Sequence, residues 1–402
     1  MSTFNKADIL IPNKKIDFEK WSVVACDQYT SEPEYWERVK IKVGNSPSTL
    51  NLVFPEVYLS EGSSRIERIN AEMKRYIEDG IFDEYKSRMI YVERTQSDGR
   101  VRHGIVGAVD LEDYDYGTGS KSKIRATEGT VLERIPPRVK IREHAPLELP
   151  HIMLLINDEE NKIIKPSSGD IVYDFDLMEG GGHLKGTLMT EAEINCVISA
   201  LDGLEMHAKG SLVYAVGDGN HSLAAAKACW DNIKKSLTEE ECKDHPARFC
   251  LAEIVNIHDT ALDFEPIHRM VFGADQSLID GLLDFYPESS RENNGGQRID
   301  YVLRGETGSV YIKNSGCTLA VGTLQKYLDS KSLNVDYIHG EDVVRRLAGE
   351  NNVGFILPPM NKNELFMSVS KDGPLPRKTF SMGNATDKRF YMEAKILKSL
   401  TF

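Results

Sequence analysis

Apolar and polar positions alternate along much of this chain, and the period changes from segment to segment. Ala7 to Pro12 and Trp21 to Ala25 read as short strands. From Ser63 to Tyr85 the apolar positions Ile66, Ile69, Met73, Ile77 and Ile81 recur every three or four residues, which predicts a helix. Tyr91 to Thr95 and Val101 to Asp110 return to strand-like alternation, with Asp98-Gly99 as a hairpin turn between them. His151 to Ile156 predicts a strand that pairs in a hairpin with Lys162 to Lys165, and Val172 to Leu177 another. Thr190 to Leu204 reads as a helix, opened by a Thr190/Glu193 capping box. Leu212 to Val216 predicts a buried strand, and the Ala-rich run Leu223 to Trp230 a helix. Phe249 to Ile257 is again strand-like, and Val335 to Pro358 has a strand–helix–strand pattern.

Strands and helices in alternation predict an α/β (α+β mixed sheet) fold. The Asn/Gly-rich stretch Ser289 to Gln297 is the expected boundary. It separates a main α/β domain, residues 1–288, from a smaller C-terminal α/β segment, residues 298–402.

The densest candidate chemistry lies in Gly217-Asp218-Gly219-Asn220-His221-Ser222, where the Leu212–Val216 strand feeds the Ala-rich helix. Helix N-termini offer backbone N–H groups and the positive end of the helix dipole, which suit a phosphate. Gly219 lets the backbone approach a ligand, and Asn220 and Ser222 add polar atoms; as an ordinary turn, the same stretch has Asn220 or Ser222 as its helix cap. Asp218 is a candidate Mg²⁺ ligand or orienter of a hydroxyl, and His221 a partner for a phosphate oxygen. A second stretch, Arg125 to Arg138, holds Arg125, Thr127, Arg134 and Arg138 in an otherwise acidic chain. Arginine presents a planar fork suited to phosphate, and surface pairing with Glu128 or Glu133 is its alternative use. His268-Arg269 offers a general base beside an anion clamp, and Arg377-Lys378 a further basic pair. Cys26 and Asp27 stand at a predicted strand end, either as a buried thiol with a turn carboxylate or as part of a ligand site.

Composition narrows the classes. The chain of 402 residues has a net charge of −13, against bulk binding to nucleic acid. Its six cysteines form no Cys-x-x-Cys pair, so neither a zinc site nor haem is expected, and a reduced, cytoplasmic protein is the simplest reading. No apolar run is long enough to suggest a membrane span. Neither a Walker A pattern nor a dinucleotide Gly-x-Gly-x-x-Gly follows a strand.

Two resemblances add to this. The Gly217–Ser222 turn and its Ala-rich helix resemble the Asp-Gly-(His/Asn)-His-Arg turn of the ParB/sulfiredoxin-like superfamily, which includes ADP-dependent free serine kinases. This sequence departs from that pattern at Ser222, where the superfamily has Arg. The chain as a whole resembles the uncharacterised family named domain of unknown function 1015. Val24 to Gln28, Ile124 to Thr130, Phe264 to Arg269 and Leu375 to Phe380 carry that likeness. The resemblances imply a ParB/sulfiredoxin-like core with added α/β segments. They imply an enzyme of the kinase or phosphatase type that handles ATP or ADP, with Mg²⁺, and a small phosphorylated ligand such as phosphoserine. A ParB-like regulator or a ligand sensor without catalysis is the alternative. On this reading Arg125, together with Arg134 or Arg138, faces the same cleft as Asp218.

Overall fold

A computed structural model describes residues 2–117, 119–208 and 212–397. The chain divides into two compact units. The first comprises the chain up to Ala126, Thr130–Leu262 and the chain from Asn384; the second comprises Thr127–Gly129 and Asp263–Gly383. The stretch 289–297, expected as a boundary, lies inside the second unit.

The first unit is built on a nine-stranded mixed sheet. Its strands are β1 (Phe4–Asn5), β2 (Ile90–Thr95), β3 (Val101–Asp110), β4 (Ile124–Ala126), β5 (Met153–Ile156), β6 (Asp170–Leu177), β7 (Gly182–Leu188), β8 (Tyr214–Asp218) and β9 (Phe249–Asn256). Their spatial order is β4-β8-β5-β9-β3-β2-β7-β6, with β1 on β3. β8 runs parallel to β4 and antiparallel to β5, and β5 runs parallel to β9.

The period-2 pattern sorts the side chains onto two cores. Ile90, Val92, Val106 and Ala108 pack on one face, with α1 (Pro33–Val43) and α2 (Gly62–Glu78). Tyr91, Ile105 and Val109, one residue out of phase, pack on the other. There they join Leu154, Tyr214 and Val216 and the helices α4 (Glu191–Ala208) and α5 (Asn220–Ile233). α3 (Ile135–Arg142) packs on α5, whose small Ala224, Ala225 and Ala226 permit close approach.

Several local expectations are corrected. Trp21 to Ala25 is not a strand. Phe18–Trp21 is one helical turn capped by Asp17, and Val24 makes an isolated bridge to Phe390. α2 stops at Glu78, and Phe82–Arg88 pairs instead with the expected strand Ala7–Pro12. Lys162 to Lys165 forms no strand; Asp158 holds that loop by accepting the N–H of Ile163 at 2.7 Å. The Thr190/Glu193 capping box is present, with reciprocal bonds of 2.9 and 3.3 Å.

The second unit is a seven-stranded sheet. Its strands are β10 (Phe264–Phe272), β11 (Ser289–Ser290), β12 (Gln297–Leu303), β13 (Glu306–Ile312), β14 (Asn334–His339), β15 (Asn352–Ile356) and β16 (Phe380–Met382). Their order is β11-β13-β12-β15-β10-β14, with β16 on β10. The helix Glu341–Leu347 joins β14 to β15, and β10 lies between these two strands.

The last segment of the first unit is tied in by buried charge. Arg389 donates to Glu253 of β9 at 2.8 Å, to Glu393 at 2.7 Å and to the carbonyl of Pro150 at 2.5 Å. Tyr173 donates to Glu393 at 2.5 Å. Burial would raise the Glu253 carboxyl, but Arg102 and Arg389 hold it below its ordinary value.

Removing one partner of a buried pair costs about 3–5 kcal/mol, because it strands the other charge. Arg389→Ala should therefore lower urea-measured stability by about that amount; a loss under about 1 kcal/mol would contradict the account. Because the folded Glu253 value is depressed, its contribution is present above the unfolded carboxylate value of about 4.3 and is lost as pH falls below it.

Candidate functional site

The site starts at the end of β8. Tyr214, Ala215 and Val216 are fully buried, which fixes the strand and delivers Asp218 at its end. Gly219 follows with φ +79°, a left-handed conformation that L side chains disfavour. A Cβ there would stand 3.0 Å from both Cα and Cγ1 of Ile152. The position therefore needs glycine for conformation and for space. Gly219 is the N-cap of α5, and no side chain caps the helix. This corrects the expectation that Asn220 or Ser222 is the cap: Asn220, His221 and Ser222 are instead the first three helical residues.

Around this helix start the first unit brings several polar groups together. Asp218 accepts the N–H of Gly219 at 2.9 Å and pairs with Lys388 at 3.2 Å. His221 Nε2 accepts the N–H of Val131 at 3.3 Å, which leaves the ring proton on Nδ1 in the neutral form. Ser222 Oγ lies 3.3 Å from His151 Nε2, and His151 Nδ1 lies 2.9 Å from the Tyr391 hydroxyl. Tyr391 also accepts the N–H of Cys26 at 3.2 Å. Burial would raise the Asp27 carboxyl, but His151, a hydrogen bond from Gln28 and Lys388 hold it below its ordinary value. Burial pushes the Cys26 thiol up to about 12, so it is not a thiolate at neutral pH. Asn220 Oδ1 and Thr130 Oγ1 are buried with no hydrogen-bond partner.

A cavity of about 360 Å³ adjoins this cluster. Ser222, His151, Tyr391 and Cys26 line it together with Arg134, Arg138 and Glu56, and Phe54, Leu52 and Met73 supply apolar wall. Arg138 is ion-paired with Glu56 and donates to the Arg134 carbonyl at 3.0 Å. Cys250 and the Arg142–Glu148 ion pair also line it.

Other expected site residues stand elsewhere. Arg125 is on β4, opposite Ala215 of β8, and its guanidinium donates to the Ser120 carbonyl at 3.2 Å. It is not among the residues that line the cavity. Thr127, His268, Arg269, Arg377 and Lys378 belong to the second unit. Thr127 is buried, and its carbonyl accepts the N–H of Leu375 at 2.7 Å. His268 is buried on β10; its Nδ1 accepts the N–H of Leu357 at 3.1 Å, and burial pulls its pKa down. Arg269, expected as an anion clamp, is fully buried, and burial draws its pKa down to about 10. It donates to Gln325 and to the carbonyls of Ile267, Lys378 and Arg377. Those bonds commit Arg269 to holding the 377–378 loop. Arg377 and Lys378 are exposed, and Lys378 Nζ lies 5.5 Å from the Tyr337 ring centroid.

The expected Mg²⁺ ligand Asp218 has one oxygen on Gly219 N–H and the other on Lys388. Among the described residues no group of three or more His, Cys, Asp or Glu is placed to hold a metal ion. In this arrangement Asp218 is committed to Gly219 and Lys388, and no step below runs through a metal ion. Nor, among them, is any helix long and apolar enough to cross a membrane.

Sequence reasoning passed over His151, Tyr391, Lys388 and Glu56. Each reaches the site from a distant part of the chain, and none stands in a motif. Asp27 and Cys26 were marked by their position at a predicted strand end and by the family likeness of Val24 to Gln28.

Residues 10–331 match the family model described as "Protein of unknown function (DUF1015)". The chain belongs to this family. No curated protein matches the sequence. Among solved structures, SbnI with C-terminal truncation from Staphylococcus aureus is similar at 12% identity and a TM-score of 0.37, over 69% of this chain and 83% of that one. A free serine kinase in complex with AMP is similar at 12% identity and a TM-score of 0.38, over 71% and 93%. A conserved hypothetical protein from Pyrococcus furiosus follows at 13% identity and a TM-score of 0.33, over 67% and 91%. Scores this low carry no argument about the chemistry of this chain.

The turn gives a direct test. Gly219→Ala forces a left-handed Cβ against Ile152 and should cost about 1–2 kcal/mol or more in thermal or urea unfolding. An unchanged midpoint would show that the turn is not held as described.

Proposed function

We propose that this family member binds a phosphate-bearing small molecule or an adenine nucleotide at the start of α5 and acts there as a phosphotransferase. The metabolite side of the reaction is a small hydroxy-amino acid or its phosphate, serine or phosphoserine. One observation carries this reading: the uncapped start of α5, where Lys388 meets Asp218, adjoins a cavity that Arg134 and Arg138 also line. A helix start and several cations in one place favour an anion. Two buried polar atoms without partners, on Asn220 and Thr130, are the kind that a bound ligand or water satisfies. The resemblance of the Gly217–Ser222 turn to the ParB/sulfiredoxin-like phosphate turn supports the same reading.

The residues divide the work by charge. The N–H groups of the first turn of α5 receive the phosphoryl oxygens. Lys388 turns from Asp218 to the phosphate, and Asp218 is then free to orient an attacking hydroxyl. Arg134, exposed at the cavity, neutralises a second phosphate. Phosphoryl transfer needs mainly such positioning and charge neutralisation.

Titration calorimetry with ADP, ATP and phosphoserine tests the binding. At least one should give saturable heat below millimolar concentration, and Lys388→Ala should weaken it about tenfold, or about 1.4 kcal/mol. No heat from any of the three at millimolar ligand would contradict the proposal.

A further inference from the structure

Ser222 occupies the place where the resembling superfamily turn has Arg, and it cannot act as a guanidinium clamp. Its environment fits another role. Its hydroxyl opens on the cavity, in the first turn of α5, 3.3 Å from His151 Nε2.

His151 stands between Ser222 and Tyr391. Tyr391 accepts the Cys26 N–H at 3.2 Å, and its hydroxyl oxygen lies 2.9 Å from His151 Nδ1. With its phenol proton turned away from the ring, that oxygen is an acceptor for an N–H on Nδ1. A ring that donates from Nδ1 presents a bare lone pair at Nε2, toward Ser222. His151 helps hold the Asp27 carboxyl below its ordinary value, so a negative charge stands near the ring. Burial holds Tyr391 in its neutral phenol form. A nucleophile, a base, a group that orients the base and a charge that stabilises it are the parts of an activated hydroxyl.

We propose that Ser222 is a catalytic nucleophile activated by His151, so that phosphoryl transfer proceeds through a phosphoseryl enzyme. This rests on the phosphate-handling reading above. Ser222 Oγ forms a bond to phosphorus while the bond from phosphorus to the leaving oxygen breaks. The Oγ proton passes to His151 Nε2 and then to the departing oxygen. In the second half, an acceptor hydroxyl gives its proton to His151 and attacks phosphorus. The bond to Oγ breaks, and Ser222 recovers the proton from His151. The N–H groups of the first turn of α5 face the charge that builds on the phosphoryl oxygens. Tyr391 is a positioning residue that keeps Nε2 free.

An alkyl fluorophosphonate tests this on the full chain, read by intact mass and peptide mapping. Its chain suits the apolar wall formed by Leu52, Phe54 and Met73. Attack by Oγ forms the oxygen–phosphorus bond and breaks the phosphorus–fluorine bond, and the Oγ proton leaves with fluoride. The wild type should carry one adduct, at Ser222, and Ser222→Ala none. His151→Ala should slow labelling about 100-fold, the usual contribution of a general base. Tyr391→Phe should lower the maximal labelling rate about tenfold at unchanged half-saturating probe concentration, whereas a merely structural loss would move both. No adduct at Ser222, or labelling indifferent to His151→Ala, would overturn the proposal. ADP calorimetry on the same samples separates the two readings. Heat without an adduct removes the nucleophile and leaves nucleotide binding in place; an adduct without heat from any nucleotide does the reverse.

Discussion

A buried guanidinium holds the candidate site together. Arg389 is almost inaccessible to solvent and spends its donors on Glu253, Glu393 and the Pro150 carbonyl. Arg102, also buried, stands 3.7 Å from the free oxygen of Glu253. Unpaired charge at this depth is expensive, so the segment from Asn384 has one low-energy place beside β9. Backbone bonds then fix its register: Ala25 donates to the Arg389 carbonyl at 2.9 Å, and Tyr391 to that of Val23 at 2.9 Å. Gly104, on the neighbouring strand β3, leaves room for the Glu253 side chain, which a Cβ there would meet.

Everything at the site that comes from the chain's end depends on that placement. Lys388 and Tyr391 flank Arg389, one on Asp218 and the other on His151. The Pro150 carbonyl that Arg389 grips is one residue before His151, so one guanidinium positions both members of the His151–Tyr391 contact. The β8–α5 turn completes the site, where Gly219 leaves room beside Ile152 that a Cβ would fill. The site thus joins segments distant in sequence, held by buried charge and by one left-handed glycine.

This explains what the sequence could reveal. The turn at 217–222 was legible because its pattern is local: a strand, a glycine, polar residues and a helix of small side chains. The mixed α/β class was legible for the same reason, since period-2 and period-3.6 patterns are written within single segments. The relay from Ser222 through His151 to Tyr391 spans 240 residues between its last two members, and no spacing rule connects them. Arg269 misled in the opposite sense. A His-Arg pair after a proline looks like an anion clamp, yet burial and carbonyl acceptors turn its guanidinium into a brace for a loop. Trp21 to Ala25 also misled, because its apolar run is buried as one helical turn and an isolated bridge to the returning chain end.

The central claim is that the start of α5 is the phosphate site. A crystal structure of the protein grown with ADP tests it most directly. The account predicts phosphate density over the N–H groups of Asn220, His221 and Ser222, with Lys388 swung from Asp218 to the phosphate. Density for ADP elsewhere, with the Asp218–Lys388 pair intact and the start of α5 vacant, would contradict it.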